Sequence, residues 1–277
     1  MKRIARAGSA WMLIAWLYLT VACRYWRWHI RLWLKQWHIH GNESTPVTMK
    51  QLLLFIRHGE STWNADGLLP GQLEGIALTD KGCKQAAVLA DSLSALPISA
   101  IISSPLERAS ETAAIIAEGR GLTIQLEPRL MDTDIGRWAG KKHDELGKTD
   151  PEWKAYVQNP AVAPEGVESF PTVQRRALEA VEYWRKQEHA GKYIVFVSHA
   201  DVIKVLIAHY TGLDAALAGK MLIENASASV VLIDDEAVQP ERVIAIGWAQ
   251  HPGWLKPILE EEKNETASPL PDGGQTT

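Results

Sequence analysis

The sequence is poor in the residues on which disulfide-rich and metal-binding proteins depend. It has two cysteines, Cys23 and Cys83, which excludes a disulfide framework and a cysteine-rich zinc site. It has no apolar run of the roughly 20 residues that span a hydrocarbon core, and no excess of basic residues, since its formal net charge is −4. This composition excludes a multi-span membrane protein and argues against a nucleic-acid-binding protein.

The charge is distributed unevenly along the 277 residues. Residues 1–48 carry seven basic side chains and one acidic one, a net charge of +6, which leaves −10 for the remainder of the chain. The same segment holds six of the twelve tryptophans. We therefore predict a basic, tryptophan-rich extension over 1–48 and a globular domain over 49–258. The acidic and then polar segment 259–277 is predicted to be a disordered tail.

The extension over 1–48 is open to three interpretations. Met49 stands directly before a strand pattern, so the extension can reflect an upstream choice of start and not be translated. The basic residues after Cys23 recur three or four apart, as in a helix that lies on a membrane surface. The short apolar stretch 10–23 behind a basic start resembles a signal peptide. We expect a cytoplasmic protein, with membrane association as the alternative if 1–48 is translated.

Short apolar runs alternate with helical patterns through the rest of the chain. Strands are predicted at 52–56, 98–102, 123–126, 193–197, 229–233 and 243–246. Between them, apolar residues recur at helical spacing, for example at Cys83, Ala86, Ala90 and Leu93. This alternation predicts an α/β domain with a largely parallel sheet.

Polar groups that suit an anion follow three of the predicted strands. Arg57 and His58 come directly after the first strand, and Arg108 comes shortly after the second. His199 follows the strand that ends at Val197. Ligands of open α/β sheets bind outside the carboxyl ends of the strands. Two arginines and two histidines brought together there predict an anion-binding site.

Four segments of the chain resemble the histidine phosphatase superfamily, which contains broad-specificity phosphatases and cofactor-dependent phosphoglycerate mutases. In order, they are LLLFIRHGESTWN, SSPLERASETA, RLMDTDIGRWAG and VFVSHADVI. The resemblance covers roughly residues 50–250. It implies a three-layer α/β/α sandwich around the largely parallel sheet.

The resemblance also implies roles for particular residues. His58 matches the nucleophile, which becomes a phosphohistidine. The groups that hold the phosphoryl oxygens in the family are matched by Arg57, Arg108 and His199, and a further phosphate contact is matched by Asn64. Arginine suits this task because its guanidinium is always charged and presents a fork of donors. Positive charge beside His58 is expected to lower the pKa of its imidazole, which keeps it neutral and nucleophilic near pH 7. This chemistry requires no metal and no cofactor.

The proton donor for the leaving oxygen departs from the family pattern. Many members have a glutamate four residues before the first glycine of a G-x-W-x-G segment, which here is 136–140. That position is Asp132, whose side chain is one methylene shorter. The resemblance therefore implies that Asp132 is the general acid and base, with its reach recovered by backbone placement. Asp134 is a second candidate.

The sequence thus predicts a metal-independent phosphatase that acts on small phosphomonoesters. One alternative is a phosphoglycerate mutase, but the R-H-Y-G segment of the mutases and their longer middle insertion are absent. Another alternative is a phosphate-binding or regulatory module that a weak acid leaves catalytically silent. The sequence makes no prediction of the physiological substrate or of the oligomeric state.

Overall fold

The computed structural model describes residues 50–249, which lie within the predicted domain 49–258. The predictions for 1–48 and for 259–277 fall outside the described residues. Within the described range, one sheet has the order β3-β2-β4-β1-β5-β6. Its strands are β1 (Lys50–Arg57), β2 (Ala100–Ser103), β3 (Ile124–Leu126), β4 (Tyr193–Ser198), β5 (Ala228–Asp234) and β6 (Glu241–Trp248).

The sheet is largely parallel, as predicted. β1 pairs in parallel with β4, β4 with β2, and β2 with β3. β5 runs antiparallel to both of its neighbours, β1 and β6. Each of these strands overlaps one of the predicted apolar runs, so those six strand predictions are confirmed. The parallel strands bring their carboxyl ends to one edge of the sheet, where Arg57 is in register with Ser198.

Helices cover both faces of the sheet. The α-helices of residues 50–249 are α1 (Thr62–Ala65), α2 (Asp80–Ser92), α3 (Glu107–Ala117), α4 (His143–Thr149), α5 (Pro151–Gln158), α6 (Phe170–Arg185) and α7 (Ala200–Thr211). Short 3-10 helices occur at Pro128–Leu130, Gly136–Trp138 and Ala215–Lys220. No helix in this part of the chain is both long and apolar enough to cross a lipid bilayer.

Two apolar clusters define the layers, and β1 contributes to both. Leu53 and Phe55 belong to the cluster that contains the buried residues of α6 and α7. Leu54 and Ile56 point the other way, into the cluster formed with α2 and α3. Because both faces of the strand are buried, its sequence is a continuous apolar run and does not alternate with polar residues. The predicted three-layer α/β/α sandwich is confirmed.

α2 departs in one detail from the helical pattern of its sequence. Cys83 was expected on the apolar face of α2 but is exposed. The buried face of this helix instead begins at Gly82, whose backbone touches the loop after β1, and continues through Leu89.

Candidate active site

His58 is the first residue after β1, and it is buried. Its Nδ1 lies 2.7 Å from the carbonyl oxygen of Gly59. Because a carbonyl oxygen can only accept, Nδ1 carries the proton and Nε2 keeps its lone pair. Burial lowers the pKa of this imidazole well below its usual 6.5, and His199, Arg57 and Arg108 lower it further. At neutral pH, His58 is therefore an uncharged imidazole with a nucleophilic Nε2.

The backbone around His58 is held by three neighbouring elements. The His58 amide donates to the carbonyl oxygen of Ser198 at the end of β4, at 3.0 Å. The next amide, that of Gly59, donates to the hydroxyl of Thr112 in α3, also at 3.0 Å. The carbonyl oxygen of His58 accepts from the side-chain amide of Asn225, at 3.1 Å, in the loop before β5. These bonds fix the loop that carries the imidazole.

The same loop is pressed against the first turn of α2 by a pair of glycines. A Cβ on Gly59 would clash with the carbonyl oxygen of Gly82, and a Cβ on Gly82 would clash with that of Glu60. Neither glycine has a positive φ. Both positions therefore require glycine for close backbone approach and not for an unusual backbone conformation.

Arg57 and Arg108 bring two guanidinium groups to the carboxyl edge of the sheet. Arg108 is fully buried, and its Nη2 donates to the carbonyl oxygen of Gly71 at 2.7 Å. Arg57 donates through Nη1 to the carbonyl oxygen of Ile223 at 2.6 Å. The Nε atom of each arginine is buried and has no partner among the described residues. Burial lowers the pKa of both groups, but arginine stays charged at any ordinary pH. The pair is therefore suited to bind an oxyanion.

His199 is the second buried histidine of the site, and it precedes the first turn of α7. Its ring centroid lies 5.2 Å from that of His58. Nε2 of His199 is 2.9 Å from the hydroxyl of Ser104, whereas its buried Nδ1 has no hydrogen-bond partner in the described part of the chain. Burial lowers the pKa of His199 well below 6.5, as does the charge of Arg108. The ring is neutral and can offer Nδ1 to a bound group.

Asp132 brings a carboxylate to Arg108 and His199. Its Oδ2 lies 3.3 Å from Nη2 of Arg108 and 3.6 Å from Nδ1 of His199. Asp134, the second candidate, is exposed, and its Oδ1 accepts from the amide of Gly136 at 2.9 Å. Position therefore favours Asp132 over Asp134 as a proton donor in the site.

Asn64 lies at the side of the site and is committed to local bonds. Its Oδ1 accepts from the amide of Ser61 at 3.2 Å, which completes the capping box of α1. The same oxygen accepts from Asn225 at 3.3 Å, and Asn225 also bonds the carbonyl oxygen of His58. A phosphate oxygen can therefore contact the Asn64 side chain only through Nδ2, which donates.

Sequence reasoning gave no role to several residues that hold the site. Ser104 and Thr112 lie in the quoted segment SSPLERASETA, so their neighbourhood was identified although their bonds were not. Gly82 and Asn225 lie outside all four segments. Their contacts join residues far apart in sequence, so no local sequence pattern predicts them.

Comparison with known proteins places the chain among phosphatases. Residues 53–245 match the family model of the histidine phosphatase superfamily (branch 1). Phosphoserine phosphatase 1 of Hydrogenobacter thermophilus is 34% identical over 185 residues, covering 66% of this chain and 87% of that protein. The metal-independent phosphoserine phosphatase of Arabidopsis thaliana is 35% identical over 190 residues, covering 66% and 77%. The solved structure of Bacillus stearothermophilus YhfR has a TM-score of 0.67 and 32% identity, and the match covers 73% of this chain and 98% of that one.

Proposed function

The chain belongs to branch 1 of the histidine phosphatase superfamily, and we propose that it hydrolyses small phosphomonoesters through a phosphohistidine formed on His58. One observation carries this proposal: the bond from Nδ1 to the carbonyl oxygen of Gly59 leaves Nε2 of a buried, neutral imidazole free to attack. Two guanidinium groups, those of the half-buried Arg57 and the fully buried Arg108, lie close enough to depress its pKa. A nucleophile beside an oxyanion site is the arrangement that phosphoryl transfer requires.

In the first step, Nε2 of His58 attacks phosphorus in line with the leaving oxygen. The new N–P bond forms as the ester P–O bond breaks, and Asp132 donates a proton to the departing alkoxide. Arg57 and Arg108 hold the non-bridging oxygens and neutralise the charge that accumulates on them. Nδ1 of His199 donates a hydrogen bond to the same phosphoryl group. The products are a free alcohol and phosphohistidine.

In the second step, water attacks the phosphohistidine. Asp132, now a carboxylate, takes a proton from the water as the O–P bond forms and the N–P bond breaks. Inorganic phosphate leaves, and His58 returns to its neutral form. The proton donated in the first step is thereby recovered, so the cycle balances without a cofactor.

The proposed substrates are small phosphorylated metabolites. Phosphoserine, which appears in the names of both relatives described above, is the first to test. We also propose a cytoplasmic location, since Cys83 is a free and exposed thiol, which suits a reducing compartment.

The proposal is tested by phosphate release from p-nitrophenyl phosphate and from glycerol 2-phosphate in the presence of EDTA. Activity is expected to survive EDTA and to be lost in His58→Ala. His143→Ala, which removes an exposed histidine, should leave activity unchanged and serves as the control. Full activity in His58→Ala would contradict the proposed nucleophile.

The role of Asp132 is tested with the same two substrates. Asp132→Asn should lower turnover of the alkyl ester by about 100-fold or more, because the poor leaving group needs a proton. Turnover of p-nitrophenyl phosphate should fall much less. Asp134→Asn is the matched control and should behave as wild type. Equal losses on both substrates in Asp132→Asn would contradict the acid role.

Two further assays separate the alternatives. Conversion of 3-phosphoglycerate into 2-phosphoglycerate, without release of phosphate, would identify a mutase. Binding of inorganic phosphate with no turnover of any ester would identify a silent binding module.

A further inference from the structure

Arg176 in α6 is bound to the segment that carries Asp132. We propose that Arg176 is a positioning residue, which holds the Asp132 carboxylate within reach of the leaving oxygen through the backbone of that segment. The inference rests on the proposed function, because it assumes that Asp132 is the proton donor. It adds a residue that does not itself touch the reacting groups.

The guanidinium of Arg176 makes five hydrogen bonds. Nη1 donates to the carbonyl oxygens of Arg129 and Met131, at 2.8 and 2.7 Å. Nη2 donates to the carbonyl oxygen of Asp132 at 2.8 Å. Nε and Nη2 also donate to the two carboxylate oxygens of Glu168, at 2.9 and 2.7 Å. One guanidinium group thus binds three backbone carbonyl oxygens of the segment 129–132 and also the carboxylate of Glu168.

The segment needs external support because regular structure ends just before Asp132. The 3-10 helix Pro128–Leu130 stops two residues earlier. The carbonyl oxygen of Asp132 accepts from two side chains, those of Arg176 and of Gln72, each at 2.8 Å. The position of the aspartate backbone is therefore set by these side-chain donors.

Glu168 extends the support to the other side of the acid. Its Oε2 accepts from the amide of Asp134 at 2.9 Å, and its own amide donates to the carbonyl oxygen of Asp134 at 2.7 Å. The hydroxyl of Tyr156 donates to the carbonyl oxygen of Glu168 at 3.0 Å. The Arg176–Glu168 pair is therefore hydrogen-bonded to the backbone on both sides of Asp132.

The support of the backbone matters more because the side chain of Asp132 is short. Asp132 stands where many members of the family have glutamate, and its side chain has one methylene fewer. A shorter side chain has fewer rotamers with which to correct a displaced backbone, so the position of its carboxylate follows the backbone closely. Arginine suits the task because a rigid fork binds several acceptors in fixed directions, which a lysine ammonium cannot do.

A positioning role and a merely structural one differ in how activity depends on the leaving group. Loss of acid catalysis affects an alkyl ester, whose leaving oxygen needs a proton, far more than p-nitrophenyl phosphate. General loss of structure lowers turnover of both esters alike. The ratio of kcat/KM for glycerol 2-phosphate to that for p-nitrophenyl phosphate therefore reports on the acid.

The experiment compares Arg176→Ala and Arg176→Lys with Arg185→Ala as the matched control. Arg185 lies in the same helix, its side chain has the same 16% exposure, and it pairs with Glu182 at 2.6 Å. Arg176→Ala is expected to lower the ratio by about tenfold or more, since general acid catalysis contributes 10²–10⁴ in rate. Arg176→Lys should also lower it, whereas Arg185→Ala should not. An unchanged ratio in both Arg176 variants would overturn the proposal.

Asp132→Asn supplies the reference that separates the two claims. If Arg176 acts through Asp132, then adding Arg176→Ala to Asp132→Asn should not lower the ratio further. A further fall of the ratio in the double variant would overturn the positioning role. If Asp132→Asn alone leaves the ratio unchanged, the acid assignment fails and the positioning role fails with it. If Asp132→Asn lowers the ratio and the Arg176 variants do not, the proposed acid stands and only the positioning role is overturned.

Should Arg176→Ala not fold, Arg176→Lys and Glu168→Gln carry the same test. Glu168→Gln keeps the size of the side chain and an oxygen acceptor but removes the countercharge. Both variants are expected to lower the leaving-group ratio, and an unchanged ratio in both would overturn the proposal.

Discussion

Gly59 and Gly82 are in backbone contact, and this contact sets the position of the loop that carries the His58 imidazole. Each occupies a place where a Cβ would meet a carbonyl oxygen, that of Gly82 for Gly59 and that of Glu60 for Gly82. The first turn of α2 therefore packs directly against this loop. Substitution of Gly82 is expected to move His58, the proposed nucleophile, without removing any group of the proposed mechanism.

Gly82→Ala is predicted to damage catalysis from outside the site. The added Cβ must displace the carbonyl of Glu60 and with it the loop after His58, and misplacement by about 1 Å can lower kcat/KM by about 100-fold. Steady-state kinetics on p-nitrophenyl phosphate measures the loss. The control is Gly147→Ala in α4, where a Cβ meets nothing within 4 Å and is expected to stabilise the helix by about 0.5–1 kcal/mol. Equal activity of the two variants would show that the glycine contact does not hold the loop.

Thr112→Val is predicted to loosen the same loop from the side of α3. The hydroxyl of Thr112 donates to the carbonyl oxygen of Arg108 at 2.7 Å and accepts from the amide of Gly59. Valine keeps the shape but leaves that buried amide without a partner, which lowers the free energy of unfolding by about 1–3 kcal/mol. The free energy of unfolding, measured by urea titration, and kcat/KM should both fall in Thr112→Val and recover in Thr112→Ser. Failure of serine to restore them would mean that the methyl group, and not the hydroxyl, matters at this position.

The two buried histidines predict a stability that depends on pH. His58 and His199 have pKa values well below 6.5 in the folded protein, so below pH 6.5 the unfolded chain binds more protons than the folded one. The free energy of unfolding should therefore fall as the pH drops from 7.5 to 5.5. Well below pH 6.5 the slope is about 1.4 kcal/mol per pH unit for each histidine.

Urea titrations at pH 7.5, 6.5 and 5.5 measure this dependence. Carboxylates such as Glu127 and Glu168, whose pKa values are lowered from 4.5, release their stabilisation only at lower pH and stay outside the window. His199→Gln should reduce the slope by about half, since one of two titrations is removed. A free energy of unfolding that is constant across the window would contradict the burial of neutral histidines.

The sheet could be predicted from the sequence because the strands are buried on both faces. Leu53 and Leu54 pack into opposite layers, so successive residues of β1 are all apolar. A continuous apolar run of this kind can be recognised in the sequence. The polar residues at the strand ends were identified by the same logic, since Arg57 and His58 end an apolar run at the edge of a sheet. Resemblance to the superfamily then gave these residues their roles.

Long-range contacts explain what the sequence could not predict. Arg176 lies 44 residues from Asp132, whose carbonyl oxygen it binds, and nothing in a helical pattern of apolar and polar residues marks that arginine. Cys83 was misjudged because the buried face of α2 is set by the contact of Gly82 with the loop after β1. Asn64 matched a motif position, but its bond to Ser61 depends on where α1 begins.

The central claim is that His58 carries the phosphoryl group between substrate and water, and rapid-quench trapping tests it most directly. The enzyme is mixed with an excess of ³²P-labelled phosphoserine or, if that is not turned over, another labelled ester that is, and then denatured in alkali, in which phosphohistidine survives. We predict up to one labelled phosphoryl group per chain, located on His58 by peptide mapping and absent from His58→Ala. Label on another residue, or turnover with no covalent label at any quench time, would contradict the account.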